Sequence, residues 1–168
     1  MTLRTRGLGC VALVLLTGVA FPPPTLAQQT PVTDNHPFVL LDVNGGAPLR
    51  LSGGATLFVP FGKPSSRDSL HAVEMQAIAG MGGARVAGGM AFLDEGFGPD
   101  VRLSLMRTSA SPRGATPHAT YVGVEAGWIW IYLRLSAGVA QRIAGPSGQK
   151  DTVFTWQAGV QLPLWYKK

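Results

Sequence analysis

Tyr121-Val122-Gly123-Val124-Glu125-Ala126-Gly127-Trp128-Ile129-Trp130 carries the reading of the fold. Val122, Val124, Ala126, Trp128 and Trp130 occupy alternate positions, with Tyr121, Gly123 and Glu125 between them. Successive side chains of a strand point to opposite faces, so this period of two marks a strand with one apolar and one mostly polar face. The pattern continues in both directions. Downstream, Ile131, Leu133, Leu135, Ala137 and Val139 alternate with Tyr132, Arg134, Ser136 and Gly138. Further on, Phe154, Trp156, Ala158, Val160, Leu162 and Leu164 alternate with Thr155, Gln157, Gly159 and Gln161. Upstream, the same alternation covers residues 49–61, 73–79, 85–92 and 101–106. These are seven strands; an eighth, residues 37–43, is weaker because it is apolar throughout. Turn formers separate them: Asn44-Gly45-Gly46, residues 62–69, Gly82-Gly83, and residues 95–100, 109–117 and 144–151. No helical stretch of useful length is present. Short strands at regular spacing predict an all-β sandwich or barrel.

Composition narrows the class. Of 168 residues, 46% are hydrophobic and 14% charged, against about 25% charged in an average soluble domain. That balance excludes a disordered chain. A single Cys excludes a disulfide scaffold and a Cys-rich zinc module. The length suits one domain. At the N-terminus, Arg4 and Arg6 precede an apolar run over residues 8–21, followed by Pro22-Pro23-Pro24 and then Thr25-Leu26-Ala27. This layout is read as a secretory signal peptide, residues 1–27, cleaved near Ala27; the run is too short for the ~20 residues of a membrane-spanning helix. Cleavage would remove Cys10 and two arginines, leaving 12 Lys/Arg against 9 Asp/Glu, or +3 instead of +5. That charge is too mild to argue for nucleic acid. Residues 28–36 read as a flexible lead and 37–168 as the β domain.

The polar face determines which way the sheet is turned. A soluble barrel buries its apolar face, whereas an outer-membrane barrel turns it to lipid and fills the lumen with polar groups. The alternating polar positions hold Arg50, Glu74, Gln76, Arg85, Arg102, Glu125, Arg134, Gln157 and Gln161, and no strand contains Lys. Small residues with sparse Arg and Glu suit a narrow eight-strand lumen. Arg50, Arg85, Arg102 and Arg134 are expected to pair there with Glu74 and Glu125, because an unpaired buried charge is very costly. Tyr121, Trp128, Trp130 and Tyr132 around one hairpin, with Trp165 and Tyr166 at the C-terminus, are expected to form an aromatic girdle at one rim.

With these features the chain resembles the small bacterial outer-membrane β-barrel proteins. The resemblance spans the export signal and residues 48–166. Its sharpest part is Gln157-Ala158-Gly159-Val160-Gln161-Leu162-Pro163-Leu164, which looks like the terminal-strand assembly signal of that class, on Gln157, Gly159, Leu162 and Leu164. It departs from the class in ending on Lys167-Lys168 and in carrying Pro163 within the strand. The resemblance implies an antiparallel up-and-down β-barrel of seven or eight strands, eight being favoured, with outer-membrane lipid and the barrel-assembly machinery as partners; it leaves the oligomeric state open and favours a monomer. Its role would be structural, protective or surface contact, without catalysis.

Little chemistry is written in the chain. His36, His71 and His118 have no metal-like spacing, no phosphate loop or nucleophile elbow occurs, and no cofactor or metal is expected. Two alternatives stay open. A secreted or periplasmic lipocalin-like barrel would need Leu57, Met75, Phe92, Leu105 and Trp156 to line an interior cavity. A lipid A-modifying enzyme would use His118, Thr120 and Glu125 together.

Overall fold

The computed structural model describes residues 36–61, 69–146 and 150–164, all within one compact unit. The signal-peptide reading, most of the 28–36 lead, Trp165 and Tyr166 lie outside the described residues. Eight antiparallel strands follow in chain order: β1 (Phe38–Ala47), β2 (Arg50–Pro60), β3 (Ser69–Gly80), β4 (Gly83–Asp94), β5 (Phe97–Thr108), β6 (Thr120–Trp130), β7 (Leu133–Ala144) and β8 (Thr152–Pro163). Each pairs with its neighbours in sequence, and β1 pairs with β8, so the sheet closes into a barrel. The fold is the expected all-β, up-and-down barrel, and the strand count is eight.

Several turn readings shift by a residue or two, with Gly83 opening β4 and Ser69 and Ala144 belonging to strands, and two change more. Asn44-Gly45-Gly46 continues β1 rather than ending it, and the turn is Pro48-Leu49. Gly46 faces β8 so closely that a Cβ there would meet Gln157 Cα at 2.9 Å, so this glycine serves close strand approach and not a bend. Residues 95–100 shrink to the turn Glu95-Gly96, where both residues have positive φ, 52° and 84°, as a two-residue type I′ hairpin turn requires. Asp100 then lies within β5.

The register fixes the barrel's shape. One circuit from Phe38 through Phe58, Glu74, Gly89, Arg102, Glu125, Gly138 and Thr155 returns to β1 beside Pro48, ten residues further on. A stagger of ten over eight strands tilts them by about 40°. One end carries the turns 48–49 and 81–82 and the longer loops 109–119 and 145–151. The other carries the chain termini of the barrel and the turns 95–96 and 131–132, which touch through Ile131 N–H donating to Gly96 O at 2.9 Å. We call these the loop end and the terminal end.

The inside is layered. At the terminal end Phe58, Leu70, Ala72, Ala91, Leu93 and Ile129 pack together, with Phe38 stacked on Phe58. At the loop end Leu49, Ile78, Met106, Ala119, Tyr121, Ala140 and Val153 form a second apolar cluster. Between these two plugs every large buried side chain is polar or charged.

Candidate functional site

The middle layer is built by strand parity. Glu74, Arg102 and Glu125 lie on one inward row across β3, β5 and β6, with Gly89 and Gly138 in the same row making room for them. A Cβ at Gly138 would come within 2.8 Å of Glu125 Cγ. We expect Gly138→Ala to destabilise the barrel by roughly 1–3 kcal/mol through overpacking, read as a lower denaturant midpoint with unchanged slope.

Three arginines and three carboxylates interlock. Arg134 Nη2 reaches Glu74 Oε1 at 2.6 Å and Oε2 at 2.5 Å, and Asp100 Oδ2 at 2.8 Å. Arg102 Nε lies 3.3 Å from Glu74 Oε1 and 3.0 Å from Asp100 Oδ2, and its Nη2 lies 3.2 Å from Glu125 Oε2. Arg85 Nη1 donates to both oxygens of Glu125, at 2.7 and 2.8 Å. Gln76 Oε1 accepts from Arg85 Nη2 at 2.7 Å and from Arg102 Nη1 at 2.8 Å, and Arg85 also bonds Gln157. Asp42 stands apart from the cations. Its carboxylate accepts from Thr56 Oγ1 at 2.6 Å, Gln76 Nε2 at 3.2 Å and Gln161 Nε2 at 2.8 Å, tying β1 to β2, β3 and β8 across the closing seam. Each of these charged groups is buried. Such charges persist away from water only when they are paired and hydrogen-bonded.

Arg85, Arg102, Arg134, Glu74 and Glu125 therefore meet in the lumen, and Arg50 does not. Arg50 begins β2 at the turn with φ of 63° and is exposed at the rim, because β1 runs on to Ala47 and pushes the turn onto it. Sequence reasoning passed over Asp42 and Asp100. The first sits in an apolar run; the second follows a Gly-Pro pair that looks like a loop, yet lies two residues before Arg102 and so on the same face.

The outer face is the mirror image. Leu103 is 66% exposed, Phe154 64%, Leu51 62% and Leu135 61%. Val43, Val73, Met75, Val86, Val101, Val124 and Leu162 also point outward. Along β8 the outward residues from Phe154 to Leu164 climb about 25 Å at the barrel's tilt. Among the described residues, charge reaches the barrel's outer face only near the rims, with Arg50 and Arg107 at the loop end and Asp94 at the terminal end.

Trp128 and Trp130 face outward at the terminal end, where Trp130 lies 6.1 Å from Phe97 between ring centroids, and Tyr132 is half-buried in the adjoining turn. Tyr121 is no part of that group. It is fully buried in the loop-end plug, its hydroxyl accepting from Thr116 N–H and donating to Lys150 O. Its odd number gives it the parity of Glu125, not of Trp128. Within the proposed assembly signal, Gln157 and Gly159 face the lumen, while Leu162 and Leu164 face out. Pro163 is the last residue of β8, where a missing N–H interrupts the ladder least.

The alternative sites do not assemble. Met75, Phe92, Leu105 and Trp156 are exposed on the outer face and Leu57 lies on the same face, so none of the five lines an interior cavity. His118 is exposed in the 109–119 loop, Thr120 accepts from Arg107 on the outside, and Glu125 is in the lumen network. Alternation alone separates the last two. The arrangement defines a closed eight-strand antiparallel barrel with an ion-paired, plugged interior and an apolar exterior. No family model, curated protein or solved structure matches the chain.

Proposed function

We propose that the chain is an integral outer-membrane β-barrel protein, exported by residues 1–27, with a structural, protective or surface-contact role carried by the loops 109–119 and 145–151. The observation that carries this reading is the polarity: an apolar outer belt about 25 Å tall, the height of a hydrocarbon core crossed by strands, around a lumen that holds the charges. Soluble monomers rarely expose contiguous apolar patches beyond a few hundred Å², and here every strand contributes to one. The apolar plugs at both ends argue against a conducting pore. On this reading outer-membrane lipid surrounds the belt, the barrel-assembly machinery inserts the chain, and a monomer suffices because closure leaves no free strand edge.

The test is fractionation with a depth probe. The protein should sediment with membranes, resist carbonate extraction, and migrate differently on gels before and after boiling. In vesicles of brominated lipid the fluorescence of Trp128, Trp130 and Trp156 should be quenched. Recovery as detergent-free soluble protein with unquenched fluorescence would end the proposal.

A further inference from the structure

Between the loop-end plug and the charged layer lies a small cavity of about 10 Å³, room for one water-sized particle. Leu49 and Met106 of the plug line it on one side, and Arg50, Ser52, Arg85 and Gln157 supply its polar wall. None of the residues around it is acidic. Strand parity brings them together. Ser52, Arg85 and Gln157 point inward from β2, β4 and β8, and each is more than nine-tenths buried. Arg50 shares the parity of Ser52 and reaches the same cavity from the rim.

The polar wall is short of acceptors. Arg85 directs Nη1 to Glu125 and Nη2 to Gln76 and Gln157, which leaves its Nε–H without a partner. Gln157 turns its amide oxygen to that Nη2, so its Nε2 faces away and is likewise unpartnered. Among the described residues no carboxylate lies within ion-pair distance of Arg50. Glu125 already offsets Arg85, so the charge left over at the cavity is the single positive charge of Arg50.

We propose that this cavity binds one small monovalent anion of halide size. The anion accepts from Arg85 Nε and Gln157 Nε2, lies beside the Ser52 hydroxyl, and offsets Arg50. Buried donors without an acceptor are costly, and hydrogen bonds to a charged acceptor are roughly twice as strong as neutral ones. Water would accept the same hydrogens but bring no charge to Arg50. Phosphate and sulfate, with four oxygens about a central atom, are too bulky for the space. The site lies inside the barrel and does not depend on what surrounds the belt.

The full barrel, refolded in uncharged detergent with gluconate as the only anion, would be titrated with sodium chloride at constant sodium and ionic strength. Bound chloride should broaden the chloride NMR line in a saturable way that bromide reverses. It should also raise the urea midpoint above that in gluconate, since a ligand of the folded state alone stabilises it. Arg50→Gln should weaken chloride binding on the order of tenfold, a loss suited to one charge. Ser52→Asp puts a carboxylate in the cavity wall, where it takes the anion's part: the broadening should vanish and the midpoint should cease to respond to chloride. Gel mobility before and after boiling checks that each variant is folded. Arg50 is exposed at the rim and outside the ion-pair network, so its variant decides the matter if Ser52→Asp does not fold. Equal midpoints in chloride and gluconate without saturable broadening mean that the cavity holds only water, and overturn the proposal. Broadening that Arg50→Gln leaves unchanged, or that survives in folded Ser52→Asp, places the anion elsewhere and overturns it too.

Discussion

Arg134→Leu is expected to destabilise the barrel by about 3–5 kcal/mol, the cost of leaving buried partners uncompensated. Arg134 is fully buried and is the closest cation to two carboxylates, Glu74 and Asp100. Removing it leaves Glu74 with Arg102 alone, at 3.3 Å, and Asp100 with Arg102 at 3.0 Å. The apolar plugs above and below hinder water from replacing what is lost. Glu74→Gln should cost less, since the amide keeps an acceptor for one guanidinium. Arg134→Leu with Glu74→Gln should then cost less than the two single changes together, by roughly 1–3 kcal/mol of coupling between contacting residues. Urea unfolding of the detergent-refolded proteins, followed by tryptophan fluorescence, measures all three. Single variants within about 0.5 kcal/mol of the parent, the usual range for surface changes, would mean that the lumen is wet and its charges solvated.

Why the network exists is a separate matter from how much it contributes. Buried ion pairs can often be replaced by apolar residues at little loss, so stability alone does not explain it. Register does. Slipping any strand by one residue would turn its whole inward set toward the outside. Glu74, Arg102 and Glu125 form one row in which Gly89 and Gly138 are the spacers, and that row is complete in one register only.

Much of this was legible beforehand because alternation is a local property. Every residue from Tyr121 to Trp130 declares its face by its number, and the inward Arg and Glu followed from that. What stayed hidden depended on where strands stop. Gly-rich Asn44-Gly45-Gly46 has the composition of a turn, and only the approach of β8 explains it as strand. A turn there would carry Arg50 into the lumen, whereas the chain leaves it at the rim. Phe97-Gly98-Pro99 hid Asp100 in the same way. Tyr121 misleads for another reason: its neighbours in sequence suggest a girdle, while its parity puts it inside with Glu125.

Val101→Arg separates the two environments the outer face could meet. Val101 is 52% exposed and lies midway along β5 between Phe97 and Arg107. Its side chain points away from the lumen, so an arginine there breaks no internal contact and touches no plug. Facing water, the change should fall within about 0.5 kcal/mol, as for other surface substitutions. Facing hydrocarbon near the middle of a belt, it should cost about 2–4 kcal/mol. The comparison is sharpened by Thr152→Arg, at the exposed loop-end start of β8, which at an interface should cost about 0–1 kcal/mol. Both variants would be unfolded reversibly from lipid vesicles and read by fluorescence. A depth dependence, large at Val101 and small at Thr152, is what a belt in lipid requires. Equal and negligible effects at both positions would place the apolar exterior in some other environment, and the charged lumen would then be a feature of the fold and not of a membrane.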